Sequence, residues 1–519
     1  MHKRSVHDDE AFAGLIQWAP AALLTLVVAG AWLLIGLPAF RAPGTRLTGS
    51  EALFTMTSAV CGVGLSVVKI ATGFTPAGQA LIAAAMELGT LIYMISGAAV
   101  ALRIKARLLG EKPGRGPTWG RLILGVAGLA LALQLLAAIR LGVLAGPPAD
   151  RWSGDGGALA RAGWSLFHAA AAFANCSFTL QNNSLCGYQY GLAVHAVLAP
   201  LIVLGGLGYV VLVDLWRWLW RGVRPGAFTR LALAAAAAAY LLGVVGLGAA
   251  RLMPYAFASL NLGHETTRPL LLPMNTRTVG SVLADASFMS IAARGAGFRI
   301  RAADTPYVSP ELLPPLDTTP ESAAAIMGRL VPPKAHWQRV DRDTLYINDQ
   351  LYKAQSAGPG HDLPGEDVTY MLLMSIGGTP GGSAGGLTTL AAAILVLAVI
   401  ATAWNRGPCR IAGVNLGEPC LRMALALLAA FITLVALATL LLALVEPFPT
   451  WQLAFEAVSA AGGRGLSKGL CPDMTTFGRS VIMATMLLSR VGLLMLMAAV
   501  GMGPGPSAPE PASPGDARG

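Results

Sequence analysis

Charged side chains are scarce in this sequence. Only 12% of its 519 residues are Asp, Glu, Lys or Arg, whereas a soluble globular chain carries about 25%. Hydrophobic residues make up 55%, and the mean hydropathy is +0.60. This composition excludes an ordinary water-soluble enzyme or binding module, and it predicts a membrane protein.

Signatures of catalysis and of bound cofactors are also absent. The six cysteines form no CxxC pair and have no zinc-ligand spacing; they are Cys61, Cys176, Cys186, Cys409, Cys420 and Cys471. Unpaired thiols are the favoured interpretation, with a disulfide between Cys186 and Cys471 as the alternative. No GxGxxG follows a strand pattern, and His168 and His195 are isolated within apolar sequence. We expect no catalytic residues and no organic cofactor.

The net charge of +10 comes from basic residues concentrated in a few short loops. Because Lys and Arg mark cytoplasmic loops, this placement predicts an oriented multi-pass protein with both termini in the cytoplasm, and it argues against nucleic-acid binding. The apolar run after His2, Lys3 and Arg4 is too long for a signal peptide and is expected to remain as the first helix. The three basic clusters are Arg103, Lys105, Arg107, Lys112 and Arg115; Arg217, Arg221, Arg224 and Arg230; and Arg406, Arg410 and Arg422.

Eight apolar spans and four shorter stretches alternate along the chain. The spans are residues 16–40, 78–102, 119–141, 192–216, 231–252, 368–404, 421–444 and 480–502, and the shorter stretches are 50–66, 158–180, 280–299 and 450–467. Each shorter stretch is too short to cross a bilayer and lies on the side opposite the basic loops. The order of helix, half-helix, extended loop and helix is that of the membrane–pore–membrane unit of cation channels.

An internal repeat supports this interpretation. The four stretches read FTMTSAVCGVGL from residue 54, FHAAAAFANCSF from 167, FMSIAARGAGF from 288 and FEAVSAAGGRGL from 455. Each begins with Phe and ends in Gly or Ser followed by Leu or Phe. Low-complexity Ala/Gly sequence is the alternative, but it does not explain why all four copies fall between helix pairs.

Such loops predict a selectivity filter, in which backbone carbonyls replace the hydration shell of a cation. Glycine tolerates the required dihedral angles, as at Gly64, Gly297 and Gly465, and the carboxyl ends of the half-helices favour a cation. The predicted filter loops contain Val60, Cys61, Gly62, Val63 and Gly64; Asn175, Cys176 and Ser177; Arg294, Gly295, Ala296 and Gly297; and Gly462, Gly463, Arg464 and Gly465.

Together with IGGTPGGSAGGLTT at 376–389 and SRVG at 489–492, these motifs resemble the Trk/Ktr/HKT superfamily of potassium and sodium transporters, in particular its bacterial membrane subunits. The resemblance covers nearly all of residues 16–500. It implies an all-α polytopic protein with four pore repeats around one pseudo-fourfold pore, and potassium uptake with the ion bound at filter carbonyls. It further implies a homodimer in the lipid of the cell inner membrane and a cytoplasmic nucleotide-binding regulatory subunit of the TrkA or KtrA type.

The resemblance also implies an intramembrane gate below the filter. Glycines and a proline break the sixth span, and Arg490 is an ionisable residue inside the eighth span. A kinked, tightly packed helix is the alternative for the glycines, and a helix-end arginine reaching the interface is the alternative for Arg490. The predicted gate residues are Gly377, Gly378, Pro380, Gly381, Gly382, Gly385, Gly386 and Arg490.

Several residues depart from the family pattern. Ser177 replaces a glycine, and Arg464 replaces a small or aliphatic residue, so a sodium-permeable or a non-conducting regulatory paralogue is the alternative function. We expect Arg464 to lie in the wall behind the filter, bound to a carbonyl or to a carboxylate such as Glu456 or Asp473. Arg294, where the family has arginine, is expected to form a salt bridge. The other departures are Cys61 and Gly62 in place of threonines, and Thr388 where the gate motif often has lysine.

The predicted domain boundaries follow the four repeats. Residues 1–118, 119–227, 228–418 and 419–503 form one pore repeat each, and residues 504–519 form a disordered tail. The third repeat carries an outer insertion at about 305–366, in which residues 337–355 alternate enough to form a hairpin.

Overall fold

The computed structural model describes residues 2–108, 119–145, 157–181, 184–188, 191–260, 267–269, 279–300, 337–339, 344–347, 350–353, 364–404, 410–411, 414–415 and 418–502. Several residues discussed above lie outside these ranges. They are Lys112, Arg115, Arg406 and Cys409, most of the outer insertion, and the predicted tail. Within them the protein is almost entirely helical, as the sequence predicts.

The helices, in chain order, are α1 (His2–Gly36), α2 (Gly49–Val60), α3 (Ile70–Gly73), α4 (Pro76–Leu108), α5 (Trp119–Leu144), α6 (Gly157–Ala174), α7 (Leu192–Arg221), α8 (Ala227–Leu260), α9 (Val279–Arg294), α10 (Pro364–Ser375), α11 (Thr389–Ala403), α12 (Glu418–Ala443), α13 (Thr450–Gly462), α14 (Thr476–Leu487) and α15 (Leu493–Met502). Short 3₁₀ turns occur at Pro38–Phe40 and Cys186–Tyr188, and a π-helical turn, Leu488–Gly492, joins α14 to α15.

Seven helical runs among the described residues are long and apolar enough to cross a membrane. They correspond to seven of the eight predicted spans. The remaining span, 368–404, consists of α10 and α11, which are separated by residues 376–388. We call residues 376–388 the gate loop. The predicted break in this span is therefore present, at its glycines.

Four short helices, α2, α6, α9 and α13, occupy the predicted half-helix positions and form the most deeply buried part of the molecule. The phenylalanine that begins each copy of the repeat is buried; the four are Phe54, Phe167, Phe288 and Phe455. Helix α2 begins with a capping box, in which the Thr48 side chain accepts from the Glu51 amide and the Glu51 carboxylate accepts from the Thr48 amide. The short helices thus pack as a core inside the long ones.

Contacts at the two ends of the bundle agree with the predicted sides. At one end, Lys105 on α4 forms an ion pair of 2.8 Å with Asp214 on α7, and Thr229 on α8 donates to the same carboxylate. Two of the three basic clusters therefore lie at the same end. At the other end, Arg479 at the start of α14 lies 3.7 Å from Glu51 at the start of α2.

Six short strands occur in the described connections. Strands β1 (Thr267–Pro269), β2 (Trp337–Arg339), β3 (Thr344–Ile347) and β4 (Gln350–Lys353) form one sheet in the order β1-β4-β3-β2, with β1 parallel to β4 and the other pairs antiparallel. The hairpin predicted for 337–355 is thus present. Strands β5 (Arg410–Ile411) and β6 (Val414–Asn415) form a second, two-stranded pair.

Candidate functional site

The predicted filter loops share one backbone arrangement at the ends of the short helices. In all four copies, an amide just after the helix donates to the carbonyl five residues earlier. The pairs are Val63 to Ser58, Cys176 to Ala171 and Arg464 to Ser459, at 2.9–3.0 Å, and Gly297 to Ala292, at 2.7 Å. This bond satisfies a carbonyl that a helix end leaves without a partner. The structural repeat therefore follows the sequence repeat.

Left-handed backbone occurs where the sequence predicts it. Gly64, Gly297 and Gly465 have φ values of 92°, 60° and 68°, which glycine adopts without a Cβ penalty. At the helix ends, Gly62 and Gly463 are also left-handed, and in the second copy Asn175 takes that conformation with φ of 56°. Asn is one of the few other residues that tolerates it.

The filter loops converge on one another. A Cβ atom at Gly297 would collide with the carbonyl of Arg464, and a Cβ at Gly465 would collide with Ser177 and with the carbonyl of Val63. Loops that lie more than 100 residues apart in sequence thus meet at one place, and the glycines allow the backbones to approach closely.

Ser177 makes the second filter loop different. Its amide donates to the Val63 carbonyl at 3.2 Å, and its hydroxyl donates to the Gly465 carbonyl at 3.1 Å. In both bonds Ser177 is the donor, and the acceptor is a carbonyl oxygen of another filter loop. Ser177 therefore links the first, second and fourth loops.

The gate loop packs against a kink in α7. Gly208 has φ of 72° within that helix, and a Cβ there would collide with the backbone of Gly381. The kink leaves helix carbonyls available, so that Thr379 donates its amide to Gly206 at 3.0 Å and Ser383 donates to Gly205 at 2.9 Å. The fourth predicted span, residues 192–216, gave no sign of this kink beyond its glycines at 205, 206 and 208.

A side-chain contact joins the second filter loop to the gate loop. The Asn175 amide donates to the Ser383 hydroxyl, which in turn donates to the Phe173 carbonyl at 2.6 Å. Asn175 is one of the predicted filter residues, and its side chain contacts the gate loop.

Three arginines donate to carbonyls of the gate loop; Arg464 and Arg490 are buried, and Arg294 is partly buried. Arg294 reaches Gly377, Arg464 reaches Ile376 and Gly385, and Arg490 reaches Ser383. They come from the end of α9, the fourth filter loop and the π-helical turn. Together they hold the beginning, the middle and the end of the loop.

Two expectations for these arginines require correction. Arg294 was expected to form a salt bridge, but among the described residues it donates to the carbonyls of Ala236 and Gly377 and to the hydroxyl of Thr389. For Arg464, the carboxylate alternatives are wrong and the carbonyl alternative is right. Glu456 instead accepts from the Ser467 hydroxyl and from the Lys468 amide, both at 2.7 Å. It thereby stabilises the segment that directly follows the fourth filter loop.

Arg490 lies where the resemblance implies, beside the gate loop. It donates to Ser383 at 2.6 Å and to the Gly62 carbonyl at 3.1 Å, and its guanidinium lies over the Tyr93 ring at 4.8 Å. A Cβ at Gly463 or Gly385 would come within 3.4 Å of this guanidinium. The helix-end alternative is excluded because only 3% of Arg490 is exposed.

The remaining predicted residues surround these contacts. Val60 ends α2, Gly462 ends α13, and Cys61, Cys176 and Ala296 are buried in the filter loops. Gly295 packs against Asn175, Gly378 and Gly382 pack against the Gly206 carbonyl, and Gly381 and Gly386 have positive φ. Pro380 is buried in the gate loop. Thr388 caps α11 by accepting from the Ala391 amide at 3.3 Å. The five described cysteines form no disulfide with one another.

Comparison with known proteins identifies the family of this chain. A sequence profile of the TrkH family, described as "Cation transport protein", matches residues 129–304 and 363–504. The chain is 27% identical over 500 residues to the potassium/sodium uptake protein NtpJ of Enterococcus hirae, covering 93% of this chain and 92% of that protein. It is 25% identical to the Ktr system potassium uptake protein B of Bacillus subtilis, covering 91% and 89%.

A solved structure shows the same fold. The potassium transporter TrkH of Vibrio parahaemolyticus matches with a TM-score of 0.61 and 13% identity, covering 94% of this chain and 84% of that chain. At this identity the likeness concerns the fold alone.

Proposed function

Because this chain belongs to the TrkH family of cation transport proteins, we propose that it takes up potassium through a pore formed by its four filter loops. The observation that carries the proposal is the meeting of four loops with nearly the same backbone bonds at the ends of four buried helices. Such ends carry partial negative charge, which stabilises a cation. The names of the Enterococcus and Bacillus relatives support potassium as the substrate.

The gate loop supplies the control of this pore. It lies between the filter loops and the kink of α7, and Arg490 places a positive charge beside both Gly62 and Ser383. A buried cation there opposes the passage of potassium until the loop moves. Flux therefore depends on displacing the loop.

The proposed assembly rests on the resemblance to the family. We place the protein in the cell inner membrane as a homodimer with cytoplasmic termini, and divide it into pore repeats at residues 1–118, 119–227, 228–418 and 419–503. A relative named as part of a "Ktr system" supports a second component, to which we assign nucleotide binding and opening of the gate.

Rubidium uptake tests the proposal. Purified protein in potassium-loaded proteoliposomes should accumulate ⁸⁶Rb⁺ above protein-free vesicles, and external potassium should compete better than sodium. The cytoplasmic partner should raise the rate. Uptake equal to that of empty vesicles, with and without the partner, would refute the proposal.

Ser177 favours a second candidate, a pore that also passes sodium. Its amide and hydroxyl engage the Val63 and Gly465 carbonyls, which leaves those oxygens less able to replace the hydration shell of potassium. In this case sodium and potassium should compete with rubidium equally in the same vesicles.

A further inference from the structure

Arg464 is the filter residue whose side chain leaves the filter. It directly precedes Gly465, and its side chain is completely buried. The aligned positions of the other loops hold Val63, Cys176 and Ala296, which are buried and cannot donate strong hydrogen bonds. The fourth loop alone therefore has a long cationic side chain at this position.

The guanidinium spans the base of the gate loop. Its Nη2 atom donates to the carbonyls of Gly385 at 2.9 Å and Ile376 at 3.3 Å, and its Nε atom approaches the Met374 carbonyl at 3.4 Å. Residues 374 and 376 lie where the chain enters the loop, and Gly385 lies where it leaves. One side chain thus joins the two ends of the loop.

These carbonyls need a donor because α10 ends at Ser375. The last carbonyls of a helix have no partner within it. The Ile376 amide donates to Leu373 at 3.2 Å, and the Leu387 amide donates to Ser375 at 3.1 Å. Arg464 reaches Met374 and Ile376, so that it completes the end of the broken helix.

The charge of Arg464 depends on the same arrangement. Among the described residues it has no carboxylate within ion-pair distance, and the partial negative charge at the carboxyl end of α10 takes that role. A buried cation that loses its partners carries a large desolvation cost. If the gate loop moved away while the filter loop stayed, this guanidinium would lose its acceptors.

We propose that Arg464 is a positioning residue that ties the fourth filter loop to both ends of the gate loop. The gate loop then cannot leave its position without disturbing the backbone next to Gly465. The inference rests on the proposed function for its effect on transport. The proposed coupling of residues 376–388 to residues 463–467 does not depend on which ion passes.

Hydrogen–deuterium exchange of the full chain in detergent tests the coupling without transport. In Arg464→Gln, peptides covering 376–388 and 463–467 should both exchange faster, by about tenfold, the factor expected when a charged hydrogen bond is lost. Arg479→Gln is the matched control, because it removes one positive charge from the same repeat, and the contacts of Arg479 with described residues are to the Pro472 carbonyl and Glu51, outside residues 376–388 and 463–467. Unchanged exchange at 376–388 in Arg464→Gln overturns the proposal, as does an equal increase in the control.

Rubidium uptake tests the consequence. Without the cytoplasmic partner, Arg464→Gln should conduct about tenfold faster than the wild type, and Arg479→Gln should match the wild type. Flux at or below the wild-type level in a variant that elutes as the wild type does would contradict the proposal. A wild type that carries no rubidium would refute the proposed function, while the exchange measurement would still decide the coupling.

Arg464→Lys provides a second test of the coupling if Arg464→Gln does not fold. Lysine keeps the charge, but its ammonium cannot reach both ends of the loop with a planar fork. We expect a smaller increase in exchange and in basal flux, about threefold, corresponding to partial loss of the bonds. Exchange equal to that of the wild type would overturn the proposal in this variant too.

Discussion

The filter loops and the gate loop reach their conformations in different ways. Each filter loop is held largely by its own backbone, through the bond to the carbonyl at the end of its short helix and through left-handed glycine or Asn175. The gate loop occurs once and is held from outside, by Arg294, Arg464 and Arg490 and by the carbonyls of α7.

This difference teaches where rigidity and movement are located. A loop held by local backbone bonds keeps its shape when its neighbours shift. A loop held by side chains from several elements can be released by a change in any of them. We therefore expect the filter loops to keep their shape when the gate loop moves, with the fourth loop as the exception, because Arg464 joins it to the gate loop.

The largest effect on rubidium uptake is expected from a substitution in a filter loop. In Gly465→Ala, the new Cβ would combine a positive φ with a collision against Ser177 and the Val63 carbonyl. We expect rubidium uptake to fall about a hundredfold, for about 3 kcal/mol of strain. Gly469→Ala is the control, because Gly469 has φ of 84° but an unobstructed Cβ position. Equal losses in both variants would show that the backbone angle, and not the meeting of loops, is responsible.

An intermediate effect is expected where α7 meets the gate loop. Gly208→Ala places a Cβ against the Gly381 backbone, whereas Gly222→Ala, with a similar φ of 66°, meets nothing within 4 Å. The two variants share about 1 kcal/mol of left-handed strain, so the excess loss in Gly208→Ala reports the contact. Thermal denaturation followed by size-exclusion chromatography in detergent should show the lower midpoint for Gly208→Ala. Identical midpoints would mean that the gate loop does not rest on the kink.

The smallest expected effect concerns selectivity. Ser177→Gly removes the hydroxyl that donates to Gly465 and makes the second loop resemble the others. The freed carbonyl should favour potassium over sodium by a few-fold, about 1 kcal/mol for one neutral hydrogen bond. Competition of each ion against rubidium uptake measures this ratio. A ratio that stays the same or falls would show that the serine does not weaken the site.

The fold could be predicted from sequence because its signals are local. Apolar length marks the spans, and four copies of one pattern mark the short helices. Gly64, Gly297 and Gly465 were predicted from the dihedral angles that they supply, and all three have positive φ. The break at the gate loop followed in the same way from its glycines and Pro380.

The partners of buried side chains could not be predicted, because they depend on loops that meet across long distances in sequence. Arg294 was expected to find a carboxylate, and it instead donates to carbonyls and Thr389. Arg464 lies 79 residues from its shortest contact, Gly385. A general rule that buried charges need opposite charges misled here, since a broken helix also offers unsatisfied carbonyls.

Because the four repeats belong to one chain, each repeat can differ in sequence from the other three. In a channel made of four identical subunits, any residue introduced beside the filter appears four times, and four buried guanidinium groups would surround the ion path. Here the four repeats differ in sequence, so Arg464 occurs in one of them. The aligned residues of the other three are apolar: Val63, Cys176 and Ala296. Under the proposed function, this loss of exact symmetry would let the fourth repeat contact the gate loop while the other three keep apolar side chains beside the filter.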